Sequence, residues 1–174
     1  MKKIIPLIAL VLSATITFSQ QSSAPKVKQL PRIDIKDVRG NPFNTSGIAN
    51  DGKPIIISFW ATWCKPCIKE LTTIADVYEQ WQKETGVKLY AISVDDSRSS
   101  SQVMPLVNGK GWDYTVLLDP NSEFKRAMNV GPIPHTFLLN GKGEIVWQHT
   151  SFSEGSELEL IELVKKVAKG EEIR

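Results

Sequence analysis

The chain has 174 residues, of which 41% are hydrophobic and 23% charged, with 21 basic and 19 acidic side chains giving a formal net charge of +2. That length suits one domain with a proper hydrophobic core. The near-balance of charge removes the electrostatic footprint of a nucleic-acid binder, and the chain's 2 cysteines are too few to build a disulfide scaffold.

Met1-Lys2-Lys3 is followed by the apolar stretch Ile4 to Phe18 and then by Ser19-Gln20-Gln21-Ser22-Ser23. A basic start, a short apolar segment and small residues make a secretory signal peptide over residues 1–19. Thr17 and Ser19 stand at the −3 and −1 positions if cleavage follows Ser19. The segment is shorter and more polar than the about 20 apolar residues of a spanning helix, so an uncleaved anchor is the competing reading. No cysteine follows it, which excludes a lipid-modified amino terminus. Removing Lys2 and Lys3 with it leaves a formal charge of zero. Residues 20–29 are polar and read as a leader; residues 30–174 read as a single domain in a periplasmic or other extracytoplasmic space.

In that domain Ile33-Asp34-Ile35 alternates, and Gly40-Asn41-Pro42 marks a turn before Phe43, which predicts a small hairpin ahead of the main sheet. Ile55 to Trp60 is a run of β-branched and aromatic residues, a buried strand. Beyond it Ile68, Leu71, Ile74, Ala75, Tyr78 and Trp81 recur at helical spacing, with Gly86 as the stop and Val87 to Val94 as the next strand. This is a βαβ unit with parallel pairing. Ser99 to Asn108 predicts a weak second helix, kinked or shortened by Pro105. Tyr114 to Leu118 predicts a strand, and Asp119-Pro120-Asn121 a turn capping a short helix with Phe124, Ala127 and Met128. Gly131 to Leu139 leads into a strand, Asn140 to Gly143 turns it, and Glu144 to Trp147 returns antiparallel. Ser156-Glu157-Leu158-Glu159 has the form of a capping box ahead of a last helix carrying Leu160, Ile161, Val164 and Val167.

Both cysteines lie in Trp60-Ala61-Thr62-Trp63-Cys64-Lys65-Pro66-Cys67, where the first strand turns into the first helix. Two intervening residues let the sulfurs close a small ring reversibly. Unpaired N–H groups and the positive end of the helix dipole favour a thiolate at Cys64. Cys64 is therefore the expected nucleophile, and the more shielded Cys67 the residue that resolves a mixed disulfide. Pro66 fits the first turn, where its missing N–H costs nothing.

Three features together, Trp63-Cys64-Lys65-Pro66-Cys67 at a strand-to-helix junction, Ile133-Pro134 before a late strand, and Glu70 three residues after the second Cys, resemble the thioredoxin superfamily. The resemblance is closer to the exported TlpA/ResA-like thiol-disulfide oxidoreductases and covers roughly residues 30 to 169. It implies an α/β thioredoxin-like fold, a central mixed β-sheet flanked by helices with an N-terminal hairpin extension. It implies that Pro134 is cis and packs opposite the cysteines, where the backbone of Ile133 pairs with an extended substrate, and that Trp63 shields the sulfurs or contacts that substrate.

The sequence also departs from the superfamily. A buried Asp used as a proton relay in many cytosolic thioredoxins is Ser58 here, and a hydroxyl cannot replace a carboxylate as a base. The resemblance offers Glu70 instead, one turn from Cys67, against the bland reading of a surface Glu favoured near a helix amino end. The proline usual five residues after the second Cys is Thr72, which puts the helix kink in doubt. His135 is a second candidate for proton handling, although a strand-edge His is more often only a polar contact; His149 reads as solvent-facing. Trp60, Tyr78 and Trp81 read as core aromatics.

The expected function is an exported thiol-disulfide oxidoreductase that reduces protein disulfides through Cys64 and Cys67, drawing electrons from a membrane donor, with cytochrome c maturation as the process implied by relatives. No cofactor and no metal are expected, and nothing in the sequence indicates an oligomeric state. One rival is a peroxidase of the peroxiredoxin class, whose signature needs Thr or Ser three positions before the reactive Cys and Pro seven before; Ala61 and Ile57 stand there. Another is a non-enzymatic module with structural zinc, for which two cysteines supply only half a tetrahedral shell.

Overall fold

The computed structural model describes residues 29–173. The expected signal peptide at 1–19 and nearly all of the expected leader at 20–29 lie outside the described residues; Gln29 alone is inside, forming an isolated antiparallel bridge with Glu144.

A seven-stranded mixed sheet in the order β2-β1-β5-β4-β3-β6-β7 forms the frame. Its strands are β1 (Asp34–Asp37), β2 (Pro42–Asn44), β3 (Ile55–Trp60), β4 (Lys88–Ser93), β5 (Thr115–Leu118), β6 (His135–Leu139) and β7 (Ile145–Thr150), interleaved with helices α1 (Lys65–Thr85), α2 (Val103–Lys110), α3 (Glu123–Ala127) and α4 (Ser156–Ala168). β3, β4 and β5 run parallel, whereas β6 pairs antiparallel with β3 and β7 with β6. Every residue of β3 is buried, as expected of a strand covered on both faces. Its alternation divides the core. Ile56 and Trp60 join α1, α2 and α4 on one side, and Ile55, Ile57 and Phe59 join Phe124, Met128 and Ile35 on the other.

α1 buries Cys67, Glu70, Leu71, Ile74, Tyr78 and Trp81 along one stripe, and ends at Gly86 in the left-handed region with φ of 68°. That conformation is nearly free for glycine and strained for other residues. At the Thr72 position the helix runs on unbroken: the hydroxyl donates to the Ile68 carbonyl one turn back at 2.7 Å.

The expected amino-terminal hairpin is present, with β1 pairing antiparallel with β2; β1 also pairs antiparallel with β5, Lys36 opposite Leu118, so the extension joins the sheet and Ile35 enters an apolar layer. The 99–108 segment is a 3-10 turn at Ser100–Gln102 followed by α2. Pro105 is the third residue of α2, in the first turn where amide hydrogens have no intrahelical acceptor, so it does not kink the helix; of the two alternatives the short span holds, α2 having 8 residues. The capping box at Ser156 does not form. Gly155 occupies the N-cap with φ of 91° and no side-chain cap, the Ser156 hydroxyl donates back to the Ser153 carbonyl, and Glu157 rather than Glu159 accepts the Gly155 N–H at 3.1 Å. By contrast Asp119 caps α3 as expected, accepting from the amides of Glu123, Phe124 and Lys125.

Candidate active site

The apolar run of β3 ends inside the sheet, and Ala61, Thr62 and Trp63 carry the chain around a tight turn closed by a hydrogen bond from the Cys64 N–H to the Ala61 carbonyl at 3.1 Å. This turn delivers Cys64 as the N-cap of α1. Cys64 and Cys67 are joined by a disulfide, with their Cα atoms 5.3 Å apart. The amide of Cys67 donates to Cys64 Sγ at 3.3 Å, so a free N–H of the first turn already points at the sulfur expected to bear negative charge. Cys67 is fully buried and Cys64 is 6% exposed. The sequence reading made Cys64 the exposed sulfur; it is the more accessible of the two, but the turn and the facing loop cover most of it. Trp63, 65% exposed beside it, is among the few large apolar side chains left in solvent.

Across from the sulfurs runs the loop into β6. The Ile133–Pro134 peptide is cis, and the Ile133 carbonyl oxygen lies 3.9 Å from Cys64 Sγ. The arrangement implied by the resemblance is therefore present: Trp63, Cys64, Ile133 and Pro134 gather at one end of β3.

Glu70 lies one turn beyond Cys67 and is buried, which removes the reading of a solvated surface charge. Ser58 and Thr136 sit directly opposite each other on β3 and β6, on the face toward α1. Their hydroxyls donate to the two carboxylate oxygens of Glu70, Ser58 at 3.1 Å and Thr136 at 2.9 Å. Burial drives the Glu70 pKa up to about 7, the two hydroxyl donors opposing the shift. The hydroxyl at 58 thus does not replace a carboxylate; it holds one supplied by the helix. Nearby, Tyr114 donates to the Leu71 carbonyl at 2.7 Å, and burial, then Tyr78 and Glu70, push its pKa upward.

His135 does not join this group. Strand alternation turns it to the other face, where its ring lies 4.6 Å from that of Phe137 and its Nδ1 meets Thr150 Oγ1 at 2.8 Å. His149 is exposed and stacks on Trp147 at 5.8 Å. Trp60, Tyr78 and Trp81 are core residues as expected. Among the described residues no cluster of His, Cys, Asp and Glu could hold a metal ion. Sequence reasoning missed Asp95, a fully buried carboxylate bonded to Thr62. The available signal was position: it lies just past the carboxyl end of β4, where sites collect in parallel α/β sheets.

A disulfide-forming cysteine pair at a helix amino terminus, faced by a cis-proline loop on a mixed sheet, defines a thioredoxin-fold protein. The model of the AhpC/TSA family matches residues 27–148. Thiol-disulfide oxidoreductase ResA of Bacillus subtilis is 31% identical over 129 residues, covering 74% of this chain and 69% of that one. ResA of Geobacillus kaustophilus is 30% identical over 128 residues, covering 74% and 71%. Among solved structures, a thioredoxin-like protein of Porphyromonas gingivalis has 50% identity and a TM-score of 0.73, covering 80% of this chain and 92% of that one. StoA of Bacillus subtilis has 26% identity and a TM-score of 0.60, covering 76% and 97%. The chain belongs to the AhpC/TSA family, as a thioredoxin-like thiol-disulfide oxidoreductase.

Proposed function

We propose that this protein reduces disulfides of other proteins outside the cytoplasm, with Cys64 as nucleophile, Cys67 as resolving thiol and Glu70 as the group that handles the resolving proton. The observation that carries this reading is the Cys64–Cys67 pair itself, capped by the Cys67 amide and faced by the Ile133–Pro134 loop. In the reduced protein the Cys64 thiolate attacks one sulfur of a substrate disulfide; a mixed disulfide forms and the departing substrate sulfur takes a proton. Cys67 then loses its proton to Glu70 and attacks Cys64 Sγ, which frees the second substrate sulfur as a thiol and leaves the Cys64–Cys67 disulfide. Two electrons have passed to the substrate. A group with a pKa of about 7 is well matched to accept and return a proton near neutrality.

Trp63 supplies an exposed aromatic surface beside the attack site, and the half-buried Ile133, next to the buried Pro134, is the backbone we assign to an extended substrate segment. Regeneration needs a dithiol donor, and a membrane protein reaching the same compartment fits that need. The signal-peptide pattern of residues 1–19 supports export, and cytochrome c maturation, the process implied by the family resemblance, is the one to test first. Among the described residues no helix is long and apolar enough to cross a membrane. The peroxidase reading keeps its defect, with Ala61 and Ile57 at the positions of its signature. Expressing Cys67→Ala in the source envelope tests the proposal: a partner protein is expected on Cys64 as a mixed disulfide, identifiable by mass spectrometry. Recovery of only free or glutathione-capped protein would argue against protein disulfides as substrates.

A further inference from the structure

Asp95 has no part in the exchange chemistry described above, yet it is fully buried directly under the active-site turn. Its Oδ2 accepts from the Thr62 N–H at 2.8 Å and from the Ser93 hydroxyl at 2.9 Å, and its Oδ1 accepts from the Thr62 hydroxyl at 2.6 Å. The Asp95 amide donates to Ser93 Oγ at 3.1 Å, which leaves the Ser93 proton directed at the carboxylate. All three contacts use Asp95 as an acceptor, the pattern of an ionised carboxylate. Among the described residues no cation lies within ion-pair distance of it; the adjacent charges, Asp96 and Arg98, pair with each other at 2.6 Å. A charge buried without a counter-ion is costly and persists only where hydrogen bonds hold it. Here they hold it to the residue two positions before Cys64.

We propose that Asp95 is a positioning residue of the redox centre. It pins the Ala61–Trp63 turn to the end of β4, and its uncompensated negative charge opposes formation of the Cys64 thiolate, offsetting part of the stabilisation given by the α1 amino terminus. The sign follows from charge: a nearby anion raises a thiol pKa and, by disfavouring the reduced thiolate, makes the pair more reducing. The other charged or titratable groups around Cys64 are Lys65 and Glu70 on α1, Asp96 and Arg98 after β4, and His135 beyond the Ile133–Pro134 loop; of these Lys65, Arg98 and Asp96 stand in solvent or half-exposed. Lys65 and Arg98 are screened, so neither cancels Asp95.

This inference rests on Cys64 being the nucleophile, and the test separates the two. The reduced full-length protein is alkylated with iodoacetamide across pH 5 to 9, the labelled cysteine is identified by mass spectrometry, and the reduction potential is measured in parallel. Asp95→Asn keeps the size and one acceptor oxygen but not the charge. It is expected to lower the pH midpoint of Cys64 labelling by half a unit or more and to make the potential less negative. Thr62→Val keeps the charge and removes one strut, and is expected to hold the midpoint within a few tenths of wild type while slowing disulfide exchange several-fold. An unchanged or raised midpoint in Asp95→Asn overturns the inference alone. Labelling of Cys67 before Cys64 in the wild type overturns the nucleophile assignment, and this inference with it.

Discussion

A carboxyl group held between two hydroxyls under a helix responds to pH in a direction that can be worked out. Glu70 has its pKa raised from 4.5 to about 7 by burial, so the folded state prefers the protonated form. The resulting stabilisation is fully present below the unfolded value and is lost as pH rises through about 7. Glu70→Gln imitates the protonated form. Urea denaturation should find it close to wild type at pH 4 and more stable by about 3 kcal/mol at pH 8, whereas an offset equal at both values would mean that Glu70 does not titrate in this range. The same substitution removes the proposed proton acceptor, so the mixed disulfide should persist longer in single-turnover exchange. Trp63 raises a different expectation. Because its side chain is mostly in solvent, Trp63→Ala should leave stability within about 0.5 kcal/mol while raising KM for a protein disulfide; an unchanged KM would remove Trp63 from the substrate surface.

Among the elements, β3 and α1 were the most legible from sequence, since an unbroken apolar run and a helical stripe ending in Gly86 each have one structural solution. Glu70 was only half legible. Its place one turn after Cys67 follows from helical geometry, but its burial depends on Ser58 and Thr136, 78 residues apart in the chain, being paired across β3 and β6, a register that no local pattern encodes. The hairpin was half legible for a similar reason: β1 and β2 signal their own turn and do pair, but the pairing of β1 with β5 is non-local. That pairing makes Ile35 a core residue, and Ile35→Ala should cost about 2–4 kcal/mol in denaturant titrations; a loss under about 0.5 kcal/mol would mean that β1 contributes little to the core. The β6–β7 turn is constrained by another segment. A Cβ at Gly141 would clash with the Gly52 carbonyl oxygen, and backbone cannot yield as a flexible side chain can. Gly141→Ala should therefore destabilise by about 1–3 kcal/mol, and a neutral result would show that the two turns separate easily.

Over the whole molecule, the sheet brings together pieces widely separated in sequence: the CxxC turn after β3, the cis-proline loop before β6 and Asp95 after β4 meet at one end of three neighbouring strands. The direction of electron flow depends on how strongly this end favours the thiolate over the disulfide, and about 30 mV corresponds to 1.4 kcal/mol for the two-electron couple. The strongly oxidising relatives place a His next to the second Cys; Pro66 stands there and offers neither charge nor N–H. Lys65 is exposed and adds at most about 1 kcal/mol, on the order of 20 mV. This balance is the one expected of the proposed reductant. Equilibrating the protein with glutathione or dithiothreitol redox buffers and quantifying the Cys64–Cys67 disulfide measures this directly: the expected potential lies closer to about −270 mV than to about −120 mV, and a value above about −180 mV would contradict the reductant and make the protein an oxidase or isomerase.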